Sequence, residues 1–174
     1  MIGLSSMKDE DKARLQKILG DYEAKLAEAA RIDAVNRAAQ AAFPGRFVAL
    51  AAEVLRPAMQ EIADLLRARG HEATVHEQEE SSSTAGGVKA AAVSMRVVPK
   101  SVTPGAASSS PVAFEISFSA NRAERKVVVS SSSTMMNHGA RMGKRGEFEV
   151  DAVTADVVAT HAIKALEEAI GSTR

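Results

Sequence analysis

Apolar residues follow three regimes along the chain. Up to Gly70 they recur every three or four positions, from there to about Val150 they alternate with polar residues, and helical spacing then returns until Gly171. Strands with one apolar face need amphipathic helices to cover that face, so the order predicts an α+β fold rather than a parallel α/β one.

Ser6 and Asp9 resemble a capping box, and Asp9, Glu10 and Asp11 suit the positive end of a helix, so a helix is expected to begin near Met7. Leu15, Ile18, Leu19, Tyr22, Leu26 and Ala29 lie on one face of it. Ile32, Val35, Ala39 and Phe43 fall roughly 100 to 150° further around at 100° per residue. Either the helix breaks near Asp33 or its two halves face different partners. Phe43-Pro44-Gly45-Arg46 predicts a tight turn, since proline presets one backbone angle and glycine permits a positive one. A second helix follows, with Phe47, Leu50, Ala51, Val54, Leu55, Ala58, Ile62, Leu65 and Leu66 as its stripe. Pro57 predicts a kink near Glu53 to Pro57, or two abutting helices, and Gly70 ends the helix behind Arg67 and Arg69.

Two such helices would form a hairpin of unequal arms, roughly 55 Å against roughly 36 Å at 1.5 Å per residue. Residues 1–30 then form an overhanging amphipathic arm whose Leu15, Leu19, Tyr22 and Leu26 need cover. That cover comes from the rest of the domain after a break at Asp33, from a second copy in a coiled-coil-like pair, or from a separate partner protein.

Strands are expected over Glu72–Gln78, Val88–Val98, Val112–Ala120, Glu124–Ser132 and Glu147–Val150. The separators 81–87 and 121–123 are short and turn-like, which predicts an antiparallel meander over residues 71–150. The connection from Lys100 to Pro111 has a composition that builds no core. Over 154–170, Thr154 caps a last helix, Val153 and Val158 take hydrophobic-staple positions, and Val158, Ala159, Ala162, Ile163, Leu166 and Ile170 give it one apolar face. The expected architecture is one 174-residue domain: a two-layer α+β sandwich with an N-terminal helical hairpin, a meander of four to five strands, and a C-terminal helix on the apolar sheet face.

Composition narrows function more than it defines it. The 22 Lys and Arg cancel the 22 Asp and Glu, and the balance holds on both sides of Gly70, with no basic footprint of the kind that marks nucleic-acid binding. The absence of cysteine removes disulfides, thiolate chemistry and Cys-containing zinc sites, and favours a reducing, cytoplasmic setting. No apolar run is long enough for a membrane span, and Met1–Lys12 lacks the h-region of a signal peptide.

Candidate chemistry is sparse. Glu72 and His76 share a strand face but lie about 13 Å apart, too far for one ion, so no metal site is expected there. The serine runs 81–83, 108–110 and 130–133 accompany no nucleophile-elbow or Ser-x-x-Lys motif. The segment 135–146 stands out: Gly139, Gly143 and Gly146 accompany His138, Arg141, Lys144 and Arg145, with no acidic residue. Glycines let backbone amides approach an anion and arginine supplies paired donors, although the spacing matches no phosphate-loop fingerprint. It reads either as a solvated hairpin loop or as an anion site. The Met135, Met136 and Met142 cluster would anchor this loop or serve as an adaptable contact. The readings that follow are a non-enzymatic module that self-associates, preferably as a dimer, or binds another protein through Leu15, Leu19, Tyr22 and Leu26; an anion or nucleic-acid binder acting through His138, Arg141, Lys144 and Arg145; and a small-ligand carrier or enzyme with a helix/sheet cavity. No cofactor is implied.

Overall fold

The computed structural model describes residues 8–82, 87–100, 113–135 and 139–171. The Ser6 cap, most of the 81–87 separator, the connection from Lys100 to Pro111 beyond its first residue, and His138 lie outside the described residues. Two compact units divide the chain, 1–41 and 42–174.

Helix α1 spans Asp9–Leu50 without interruption, so it neither breaks at Asp33 nor turns at 43–46. In the first unit it is exposed at every described position but Ala39. Arg31 holds Glu28 one turn back through two hydrogen bonds of 3.0 and 2.8 Å, and this pairing keeps the Glu28 carboxyl below its ordinary range.

The second unit begins just before the expected turn, and the turn is absent. Pro44 sits inside the helix at a nominal cost of about 3 kcal/mol, while Phe43 and Phe47 are each only 2% exposed. Burying two phenylalanines contributes roughly 1.5 to 3 kcal/mol apiece, and a turn at 43–46 would pull them off a common face. Burial therefore overrides the local Pro-Gly signal, and the expected helical hairpin is replaced by one long helix running into a second. The irregularity expected at Glu53–Pro57 takes the form of a π-helical turn at Ala51–Leu55, followed by α2, Arg56–Ala68, with Pro57 in its first turn.

The π turn also moves the stripe. Phe43, Phe47, Ala51, Leu55, Met59 and Ala63 are buried in steps of four, with Leu50 buried beside Ala51. Each step overruns a 3.6-residue turn by about 40°, and the wider π turn takes back about 100° of the accumulated drift. Leu65, expected inside, is consequently 65% exposed, and Met59 and Ala63 replace it. At the end of α2, Gly70 adopts φ +86°, its N–H reaches the Arg67 carbonyl at 2.9 Å, and the His71 N–H reaches that of Leu66 at 3.1 Å. This is the Schellman closure, for which glycine supplies the left-handed residue.

The sheet is an antiparallel meander of five strands in the order β1 (Glu72–Gln78), β4 (Ala92–Val98), β5 (Ala113–Asn121), β6 (Lys126–Met135) and β7 (Gly139–Glu149). The expected strand Val88–Val98 is divided: β2 (Ser81–Ser82) and β3 (Val88–Lys89) form a separate two-stranded ribbon. Between β3 and β4, the Gln78 side chain donates to the Ala90 carbonyl at 2.7 Å, in a run of alanines with no alternation to hold a register. Val93, Met95, Val97, Phe114, Ile116, Phe118, Val127 and Val129 are buried on one face. Helix α3 (Ala155–Gly171) packs there beside α2 through Val158, Ala162, Ala165 and Ala169, with the Thr154 hydroxyl accepting from the Val157 N–H at 3.4 Å as its cap. The second unit is thus a two-layer α+β sandwich.

Candidate functional site

Strand β7 changes the setting of the basic segment. Ten of its eleven residues pair with β6, Gly139 opposite Met135 and Glu149 opposite Lys126, so most of the expected loop is an edge strand. The opposing sequence, Ser130 to Thr134, carries no apolar alternation, and backbone pairing needs none; the hydrophobic pattern was silent there for that reason.

The register slips once. Val129 faces Gly146 and Ser130 faces Lys144, which leaves Arg145 as the extra residue of a β-bulge. Ser131 and Ser133 share the parity of the buried Val127 and Val129, and Gly143 and Arg141 lie opposite them in register. The bulge sends Arg145 toward the same side, where its side chain is only 17% exposed. Its Nε donates to the Ser131 hydroxyl at 2.5 Å, and its two terminal nitrogens grip the Glu168 carboxylate of α3 at 3.0 and 2.5 Å. That hydrogen-bonded pair lowers the Glu168 pKa and raises that of Arg145.

Two concavities meet at this pair. A groove of about 250 Å³ has Ser131, Ser133, Arg141 and Gly143 on the sheet side and Ala165 and Ala169 on the helix side, over the ring of Phe114. Across the Arg145–Glu168 bridge, His161 and Lys164 border a shallower one. His161 lies edge-on to Phe148, ring centroids 5.3 Å apart at 74°, and its Nδ1 is buried without a hydrogen-bond partner among the described residues. Burial foremost, then the charges of Arg145 and Lys164, hold its pKa below the ordinary 6.5.

The expected cations are therefore in different states. Lys144 is bound to Glu147, whose carboxyl is pulled below its ordinary range by that contact, and Arg145 is bound to Glu168. Arg141 is exposed and pairs with no other side chain among the described residues, and His138 lies outside the described residues. A parity argument from Val127 and Val129 could have placed Ser131 and Ser133 on the helix side; nothing in the sequence marked Glu168 as the acceptor, because its partner is positioned by a bulge.

Leu15, Leu19, Tyr22 and Leu26 occupy the other unit, in α1. At 100° per residue they fall within an arc of about 60°, and their exposure runs from 45% (Leu15) to 59% (Tyr22). Elsewhere, His71 Nδ1 accepts from the Lys100 N–H at 3.0 Å and His76 meets the Thr74 hydroxyl at 3.2 Å. No family model, curated protein or solved structure matches the chain. No helix among the described residues is long and apolar enough to cross a membrane.

Proposed function

We propose that the protein acts as a self-association module, two copies pairing through Leu15, Leu19, Tyr22 and Leu26 of α1. The observation that carries this reading is a helix exposed along nearly all of its first unit while four large apolar side chains share one narrow face. Helices in water draw most of their stability from covering such a face rather than from intrinsic propensity.

The spacing favours a second copy over a different partner. Its steps are four, three and four, which read the same in both directions. An antiparallel two-fold pair thus places Leu15 of one copy on Leu26 of the other, and Leu19 on Tyr22. In that register Glu23 falls opposite Ile18 and Lys25 opposite Gln16, so no like charges meet beside the seam. A parallel in-register pair would set Lys12 against itself at the next seam position. Finishing the burial of a half-exposed apolar side chain contributes about 1 to 1.5 kcal/mol, and eight of them, about 8 to 12 kcal/mol, are set against an association cost of about 4 kcal/mol or more. The surplus is at most about 4 to 8 kcal/mol, so the expected dimer is weak, with a Kd between about a micromolar and a millimolar.

Sedimentation of the full chain across tens to hundreds of micromolar tests this. A concentration-dependent mass rising toward the dimer is expected, and Leu19→Glu with Leu26→Glu should hold the chain monomeric with its circular dichroism at low concentration unchanged. A wild-type chain that stays monomeric throughout, or a double variant that associates as the wild type does, removes the proposal.

A further inference from the structure

The groove between α3 and the far end of β6 and β7 is independent of that helix face. Three residues form a row across its floor: Phe114 of β5 lies opposite Ser133 of β6, which lies opposite Arg141 of β7. Side chains on the same face of paired strands stand about 4.5 to 5.5 Å apart at Cβ, close enough for one ligand to meet two of them. The row runs from an aromatic ring through a hydroxyl to a guanidinium. Ala165 and Ala169 form the opposite wall, and their small side chains with Gly143 leave the space of about 250 Å³ open.

The charges select among ligands. Arg141 and Arg145 carry one positive charge each and Glu168 one negative, so the groove has a net charge of one. Arg145 is held by Ser131 and Glu168, which leaves Arg141 as the cation available to a ligand. A monoanion neutralises the groove, whereas a dianion brings its second charge against Glu168. A guanidinium binds a carboxylate through two parallel hydrogen bonds, and the apolar wall beyond it accepts a hydrocarbon chain.

We propose that this groove binds a monocarboxylate bearing a short apolar chain, with Arg141 and Ser133 holding the carboxylate and Phe114, Ala165 and Ala169 holding the chain. The test is an NMR titration of the full chain with sodium hexanoate, with hexanamide and inorganic phosphate as comparison probes. Saturable shifts at Ser133, Gly143 and Ala169 are expected for hexanoate, and at least about tenfold weaker binding for hexanamide, which lacks the charge. Arg141→Gln, a change at an exposed side chain, should weaken hexanoate by a similar factor, while Lys144→Gln leaves it unchanged. Glu168→Gln should admit phosphate. Absence of saturable shifts with hexanoate, equal binding of hexanamide, phosphate binding as tight as hexanoate in the wild type, or affinity indifferent to Arg141→Gln would each overturn the assignment.

Discussion

His161 shows how one side chain reports on its surroundings. Gly146 faces it, and a Cβ there would come within 2.9 Å of the Phe148 ring and 3.7 Å of the imidazole, so the glycine is what lets the two rings meet edge to face. Enclosed by Phe148 and flanked by Arg145 and Lys164, the imidazole resists protonation in the folded state. The unfolded chain, in which this histidine titrates near 6.5, then binds more protons than the folded one just below that pH. Its contribution to stability is complete above about pH 7 and is lost as pH falls through 6.5 toward the depressed folded value. The lowered carboxyls, Glu28, Glu147 and Glu168, lose their contribution only further into acid, below the ordinary 4.5. Urea unfolding between about pH 5 and 8 should therefore show a decline on acidification that His161→Phe reduces. A midpoint for the His161 ring proton at or above 6.5 by NMR would contradict the account.

Among the elements, the long helical segment from Asp9 to Ala68 holds two prolines in different ways. Pro57 falls in the first turn of α2, directly after a π turn, where a missing N–H is tolerated. Pro44 lies in the interior of α1 with no such relief. Pro44→Ala restores a backbone donor and is worth about 3 kcal/mol in helix propensity, offset by under about 1 kcal/mol from the greater freedom of the unfolded chain. The variant should gain roughly 2 kcal/mol, read from the denaturant midpoint; a loss of stability would mean that the ring's own contacts outweigh its backbone cost. The same residue shows where sequence reading stops. Strand β1, the Gly70 cap, the Thr154 cap and the one-sided sheet were legible because local chemistry and burial agree there. At Pro44 they disagree, and the buried phenylalanines on either side decide. At β7 the periodic signal vanishes, since glycine, serine and arginine sustain a ladder without announcing it, and the bulge that turns Arg145 inward is set by register with β6 rather than by any residue of β7.

At the scale of the whole molecule, core and helical face are separable. Among the described residues, every buried apolar side chain lies at or beyond Phe43, and the arm 1–30 contains none of them. Deleting residues 1–30 should therefore leave the unfolding free energy of the α+β unit within about 1 kcal/mol of the full chain. The arm itself obeys a different law. A helix whose apolar face is open to water is marginal, so its helicity should depend on pairing and hence on concentration, each tenfold rise favouring the paired state by about 1.4 kcal/mol per dimer. Circular dichroism of the full chain, followed from about one to hundreds of micromolar, should gain helical signal as the mass doubles, while the deleted chain shows neither change. Helicity that is already complete in the dilute monomer would mean that the exchange of charges along α1, such as Glu28 with Arg31, suffices to hold the helix, and would separate its formation from its association.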